Sequence, residues 1–152
     1  MRSTLLALAL GVWPLAAASQ QPQPVVSIAA AIRTLGSGDT VTVAGRATAG
    51  TGQLQSTVFD IALEDSSGGI RVFSRMLEAS VRVGDSIVTT GVVKTYRGNV
   101  EIIGTSLTVV PGARLVMTPT PIAVDHELLS RYSGRLVRVR GRVAGFGKSE
   151  GG

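Results

Sequence analysis

The segment spanning residues 57–75 reads Thr57-Val58-Phe59-Asp60-Ile61-Ala62-Leu63-Glu64-Asp65-Ser66-Ser67-Gly68-Gly69-Ile70-Arg71-Val72-Phe73-Ser74-Arg75. Phe59, Ile61 and Leu63 alternate with Val58, Asp60, Ala62 and Glu64, the period of two that sends alternate side chains to opposite faces of a strand. Ser66-Ser67-Gly68-Gly69 supplies a turn, after which Ile70 and Val72 resume the inward face and Arg71, Phe73 and Arg75 the outward one. This is a hairpin with one apolar face. Asp60 and Glu64 are expected on its outer face, with Asp65 at the turn.

The same pattern continues on both sides. Residues 39–49 alternate, with Val41, Val43, Gly45 and Ala47 on one face and Thr42, Ala44, Arg46 and Thr48 on the other. Downstream, residues 76–83 have room for a helical turn or two, Gly84-Asp85 opens a strand through Tyr96, Arg97-Gly98-Asn99 forms a hairpin turn, and residues 100–110 form the last strand. Upstream, Ser27-Ile28-Ala29-Ala30-Ala31-Ile32-Arg33-Thr34-Leu35 predicts one short amphipathic helix with Ile28, Ile32 and Leu35 on its apolar side, closed by Gly36 and Gly38. The predicted fold class is all-β, mainly β with one or two short helices: a five-stranded Greek-key barrel of OB type. An immunoglobulin-type sandwich would want about seven strands.

Val41-Thr42-Val43-Ala44-Gly45-Arg46-Ala47 recurs as Val137-Arg138-Val139-Arg140-Gly141-Arg142-Val143, at a constant offset of 96. Before it, Leu128-Leu129-Ser130-Arg131-Tyr132-Ser133-Gly134 stands where the helix end and turn stand in the first copy. The barrel is thus expected to be followed by the start of a second OB-like repeat. The expected organisation is a signal peptide over 1–19, a linker over 20–26, an OB module over 27–110, a linker over 111–124 and an incomplete second module over 125–152. On this reading the chain is the N-terminal part of a longer protein. The alternative is a complete protein whose last strand pairs onto the first barrel or onto a second copy.

The N-terminal assignment rests on a short positive start at Met1-Arg2, an apolar run over residues 5–13 and small residues around Ala16-Ala17-Ala18-Ser19, the layout of an export signal. The expected location is exported, periplasmic or otherwise extracytoplasmic. The apolar run falls short of the roughly 20 residues needed to span a bilayer. Membrane anchoring would therefore come only through a further C-terminal part.

Composition narrows the chemistry. The chain has 152 residues, no cysteine and one histidine. Disulfides, thiolate metal sites and a cysteine nucleophile are excluded. The net charge of +5 suggests an anionic partner, but it is unevenly placed. Residues 20–110 carry seven basic and seven acidic side chains, whereas residues 111–152 carry seven basic against three acidic.

The helix motif, Val41-Thr42-Val43-Ala44-Gly45, and Ala62-Leu63-Glu64-Asp65-Ser66-Ser67-Gly68-Gly69-Ile70-Arg71-Val72 together resemble the tandem OB-fold-like periplasmic modules found in the N-terminal input regions of bacterial sensor histidine kinases and related envelope proteins. The resemblance covers roughly residues 25–143. It departs mildly from the family pattern at Ala47, where a Val is usual, and in a longer first loop. It implies an OB barrel with a ligand-sensing or interaction role, and a membrane span and kinase core downstream. Similar modules precede secreted nuclease domains, so fold outruns function here.

No catalytic residues, metal site or cofactor are identified. Asp125-His126-Glu127 superficially resembles a kinase phosphoacceptor motif but continues differently, and is read as surface. Asp60, Glu64 and Asp65 form no acid and base pair, and Gly50-Thr51-Gly52 lacks the Lys-Ser/Thr of a phosphate loop. Asp85 is read as a turn and strand-start residue. The parent chain could still be a histidine kinase.

OB folds commonly bind ligands across strands two and three and the loop between strands four and five. The candidate ligand-binding residues there are Arg46, Arg71, Phe73, Arg75, Tyr96 and Arg97. The expected function is a non-catalytic sensing or interaction module with a small ligand or an envelope protein as partner, part of a sensor histidine kinase. The alternatives are a single-stranded nucleic-acid-binding OB module, as in a secreted nuclease, and a structural periplasmic protein.

Overall fold

The alternating runs become strands and the Ala-rich stretch a helix. The computed structural model describes residues 23–110, 115–123, 131–143, 145 and 147. In order these form β1 (Val25–Val26), α1 (Ile28–Thr34), β2 (Thr40–Ala49), β3 (Phe59–Glu64), β4 (Gly69–Ser74), β5 (Ser86–Tyr96), β6 (Asn99–Val110), β7 (Thr120–Pro121) and β8 (Val137–Arg138). The expected export signal and the Asp125-His126-Glu127 stretch lie outside the described residues.

The main sheet runs β2-β3-β4-β6-β5 and closes by pairing β2 with β5. Neighbours are antiparallel except β4 and β6, which are parallel, with Arg71 opposite Glu101 and Phe73 opposite Ile103. A five-stranded barrel closed in this order is the OB fold. β1, in the stretch read as a linker, adds to β2 in parallel, with Val25 opposite Thr42.

β2 serves both halves of the barrel: residues 40–46 pair with β5, and Arg46, Ala47 and Ala49 pair with β3. The strand must bend sharply where it changes partner. Gly45 sits there, and a Cβ on it would stand 2.7 Å from the Glu64 carbonyl oxygen. The bulge between Ala47 and Ala49 completes the turn.

The apolar residues named from alternation on β2, β3 and β4 point inward, and Ile87, Val93 and Ile102 of β5 and β6 join them. Val41, Val43, Ala47, Phe59, Ile61, Leu63, Ile70, Val72, Ile87, Val93 and Ile102 form one apolar core. Two buried polar residues keep partners: the Thr89 hydroxyl donates to the Ser106 carbonyl at 2.8 Å, and Ser74 Oγ accepts from the N–H groups of Met76 and Leu77, each at 3.2 Å. Residues 75–85, long enough for a helical turn or two, contain no helix.

α1 covers the barrel with Ile28 and Ala31, both fully buried. Of the three residues expected on its apolar side, Ile28 is buried and Leu35 packs against the core, whereas Ile32 is 37% exposed and Ala31 takes the contact.

The helix is tied down by the turn between β3 and β4. Asp65 Oδ2 accepts from the Ile28 N–H at 2.9 Å, while Oδ1 accepts from the N–H groups of Ser67 and Gly68 at 2.7 and 2.8 Å. Ser67 Oγ accepts from the Ala29 N–H at 2.9 Å, and Ser27 Oγ from the Ala30 N–H at 3.2 Å. The helix's first N–H groups, which no intrahelical carbonyl can serve, are satisfied across 37 and 38 residues of chain. Burial of Asp65 opposes its ionisation, but the Ser67 hydroxyl and the N–H groups of Ile28, Gly68 and Ser67 outweigh that and hold its pKa below the ordinary value.

The segment after the barrel docks against it. Thr48 Oγ1 donates to the Gly134 carbonyl at 2.7 Å, and the Leu136 N–H donates to Glu64 Oε2 at 3.1 Å. β8 pairs in parallel with β7, which belongs to the stretch read as a linker. Residues 137–143, which match β2 in the recurring motif and carry Arg138, Arg140 and Arg142, form a strand only over Val137–Arg138. β7 is two residues long, and among the described residues its pairing with this stretch ends with the Ile122 N–H donating to the Arg138 carbonyl at 3.0 Å, so Arg140 and Arg142 lie beyond it.

The docked segment crosses the barrel backbone to backbone. A Cβ on Gly69 would lie 2.5 Å from the Gly134 carbonyl carbon and the Ser133 oxygen, so both contacts are main-chain and cannot swing aside. Gly69→Ala is therefore expected to release residues 131–138 while leaving the barrel folded. Hydrogen exchange at the Leu136 amide should rise at least tenfold, about 1.4 kcal/mol in an opening equilibrium; unchanged protection there would count against the docking.

Candidate functional site

β4 lies between β3 and β6, so its outward side chains stand at the middle of the outer face. Arg71 is the centre. Its Nε donates to Asp60 Oδ1 at 2.8 Å and its Nη2 to Asp60 Oδ2 at 2.6 Å, a two-point clamp, while Nη1 reaches Glu101 Oε2 at 3.2 Å. The guanidinium also lies 5.7 Å from the centroid of the Phe73 ring. One side chain thus joins three strands. Its pKa is raised, first by the hydrogen bonds to Asp60, with burial working the other way and the charges of Asp60 and Glu101 adding to the rise.

Asp60 points outward, as alternation requires, yet is not solvated. It has no exposed surface, and Ala62 and Glu101 are buried too. Asp60 and Glu64 lie on the outer face as expected, but neither is open: the Asp60 carboxylate is covered and neutralised by Arg71, and Glu64 is half-buried with Leu136 against it.

The tip of the β5–β6 hairpin forms the other half of the site. Arg97 has φ 49° and Gly98 φ 81°, the two positive values of a tight hairpin turn. Glycine and asparagine accept that conformation readily, whereas an arginine there costs about 1 kcal/mol. The Arg97 guanidinium lies 5.3 Å from the Tyr96 ring centroid, and Tyr96 is 46% exposed. A cleft of about 260 Å³ joins Arg71, Tyr96, Arg97, Asn99 and Glu101.

Of the six candidate residues, the structure brings four together: Arg71, Phe73, Tyr96 and Arg97. Arg46 is half-buried on β2, with its Nη1 3.4 Å from the Gly84 carbonyl. Arg75 lies past the end of β4 in a different cleft, with Ser56, Phe59 and Glu78. Sequence reasoning missed Asp60 and Glu101 as partners of Arg71, and Lys94, which stands opposite Glu101 and is exposed. The hairpin offered a signal for one of these: Lys94 and Glu101 are equidistant from its two turn residues. Among the described residues no group of three or more His, Asp or Glu side chains could hold a metal, and no helix is long and apolar enough to cross a membrane.

No family model matches the chain, and no curated protein matches it. Among solved structures it is similar to the Stn1-ten1 complex of S. pombe, at 18% identity and TM-score 0.41, over 47% of this chain and 58% of that one. It is similar to the OB domain of MM0293 from Methanosarcina mazei, at 15% identity and TM-score 0.49, over 62% of this chain and 89% of that one. It is also similar to the aspartyl tRNA synthetase of Entamoeba histolytica, at 18% identity and TM-score 0.50, over 79% of this chain and 30% of that one. The chain thus spans less than two thirds of the Stn1-ten1 and synthetase chains. These are likenesses of fold, and the class defined by topology and comparison alike is the OB-fold module.

Proposed function

We propose that the barrel is a non-catalytic binding module whose outer face takes single-stranded nucleic acid, laid across β4 and the β5–β6 hairpin. One neighbour is a tRNA synthetase by name, but that belongs to that protein; support here comes from this chain's own face. The observation that carries the proposal is the internal neutralisation of its acids. Asp60 and Glu101 are buried on Arg71, which lies against the Phe73 ring, while Lys94 and Arg97 stay exposed on the hairpin that carries Tyr96. Aromatic rings for stacking next to unspent cations are what a single strand requires. The strained Arg97 adds to this, since a residue held in a costly conformation at a site is better explained by binding than by stability.

The test is a titration of the full chain with labelled oligo(dT) at low and moderate salt. Binding should weaken with salt, with a slope of about −2 if three phosphates are contacted. Arg97→Asn should bind more weakly while the protein melts no lower, because asparagine tolerates the turn. Absence of binding at low salt would refute the proposal.

A second reading, a sensing or interaction input module of an exported sensor protein, is favoured by the docking of residues 133–136 on the barrel, which couples the module to the chain beyond it. Export through residues 1–19 belongs to that proposal. A membrane span and kinase core encoded downstream would support it, and a nuclease domain there would remove it.

A further inference from the structure

A second concavity lies at the end of the barrel, between α1, the two hairpin turns and the docked segment. It has a volume of about 270 Å³ and is lined by Arg33, Arg131, Asn99, Ser133, Ile32 and Val100, with glycines of both turns forming part of the wall. Two arginines from different parts of the chain, Arg33 on α1 and Arg131 on the docked segment, converge on it. Both are exposed, and among the described residues neither enters an ion pair or a side-chain hydrogen bond. Ser67 also lines the space, but its hydroxyl is engaged with Asp65 and Ala29. Among the described residues, the donors left for a ligand are the two guanidinium groups, the Asn99 amide and the Ser133 hydroxyl.

Two guanidinium groups with no carboxylate among the described lining residues select a compact anion of high charge, because each offers a planar fork to tetrahedral oxygens. The exposed Ile32 and the half-buried Val100 supply an apolar side, so the anion is expected to carry an organic group. The volume suits a ligand the size of one nucleotide or a smaller ester. We propose that this concavity is a phosphomonoester site, assembled only when residues 131–133 are docked on the barrel. It shares Asn99, Val100 and Ser133 with the Tyr96 cleft, so the two are continuous around the hairpin. The phosphomonoester could be a free metabolite or the terminal phosphate of a nucleic-acid strand, and the experiment separates these sources.

The full chain is titrated with inorganic phosphate, with a mononucleoside 5′-monophosphate, and with one oligo(dT) carrying or lacking a 5′-phosphate, each also against Arg33→Gln and Arg131→Gln. Losing either arginine should weaken the phosphorylated ligands about tenfold. The melting temperature should be unchanged, since both side chains are exposed. Tighter mononucleotide than phosphate binding, with no gain from the 5′-phosphate on the oligonucleotide, would identify a metabolite site; a gain of tenfold or more from that phosphate would identify a strand-end site. If the arginine variants bind every probe like the parent, or if neither mononucleotide nor 5′-phosphate is sensed, the site is overturned even where the oligonucleotide binds the outer face. If phosphate esters bind through Arg33 and Arg131 and the unphosphorylated strand does not bind, the site stands and the outer-face proposal falls.

Discussion

Arg71→Met is expected to destabilise the barrel by about 3–5 kcal/mol, measured as a shift in the denaturant midpoint. Asp60 has no exposed surface, and its two carboxylate oxygens are both held by Arg71. Removing the guanidinium leaves a buried carboxylate without its countercharge, and that penalty, rather than the worth of the ion pair itself, sets the size of the effect. The double variant is the control. Asp60→Leu combined with Arg71→Met removes the stranded charge as well as its partner and should recover most of the loss, because an apolar pair on the same face packs without desolvation cost. Glu101 keeps Lys94 opposite it across β5 and β6. A loss below about 1 kcal/mol for the single variant would show that Asp60 is solvated, contrary to the face described.

Asp65→Ala should cost about 3 kcal/mol, with Asp65→Asn costing about half as much. The two variants separate the roles of the two oxygens. An asparagine oxygen can still accept from Ser67 and Gly68, but its amide nitrogen would face the Ile28 N–H, donor against donor, so the turn survives and the tie to α1 is lost. The same carboxylate makes the fold acid-sensitive. Its folded pKa lies below the unfolded value of about 3.9, so its contribution is complete above that pH and disappears as pH falls through the lower folded value. The parent should therefore lose stability relative to Asp65→Ala on acidification below about pH 4, and a constant gap between them through that range would contradict the assignment.

The strands are legible because the barrel interior is apolar and the period of two survives in every run: Val41, Val43 and Ala47, then Phe59, Ile61 and Leu63, then Ile70 and Val72. Alternation reports which side a residue faces, however, and says nothing of whether that side is covered. It places Asp60 outward, correctly, but not its burial, which comes from Arg71, a diagonal neighbour on the next strand. Asp65 is recognisable as a turn residue, but its hold on Ile28 spans 37 residues and leaves no local pattern. The helix periodicity holds at Ile28 and Leu35 and fails at Ile32, which is exposed while the smaller Ala31 is buried. At the candidate site, the hairpin arithmetic reaches Tyr96 and Arg97, while the departure of Arg46 towards Gly84 and of Arg75 into another cleft depends on tertiary placement.

Arg71 and Arg97, alike as outward cations in the sequence, do different work. Arg71 is committed to Asp60 and Glu101 and holds three strands in register, so its positive charge is not available to a ligand. Arg97 has a strained backbone and stacks on a half-exposed ring, so its value lies at the surface. Stability and binding should therefore separate cleanly between them: loss of Arg71 should lower the melting temperature, whereas loss of Arg97 should lower affinity.

The outer face is tested most directly by a residue-resolved NMR titration of the ¹⁵N-labelled full chain with short oligo(dT) at low salt. The expected result is a contiguous set of amide shifts over Arg71 to Phe73 and Lys94 to Glu101, saturating with one affinity and reversed by added salt. Shifts absent from those residues, or confined to residues 75–85, would contradict the account.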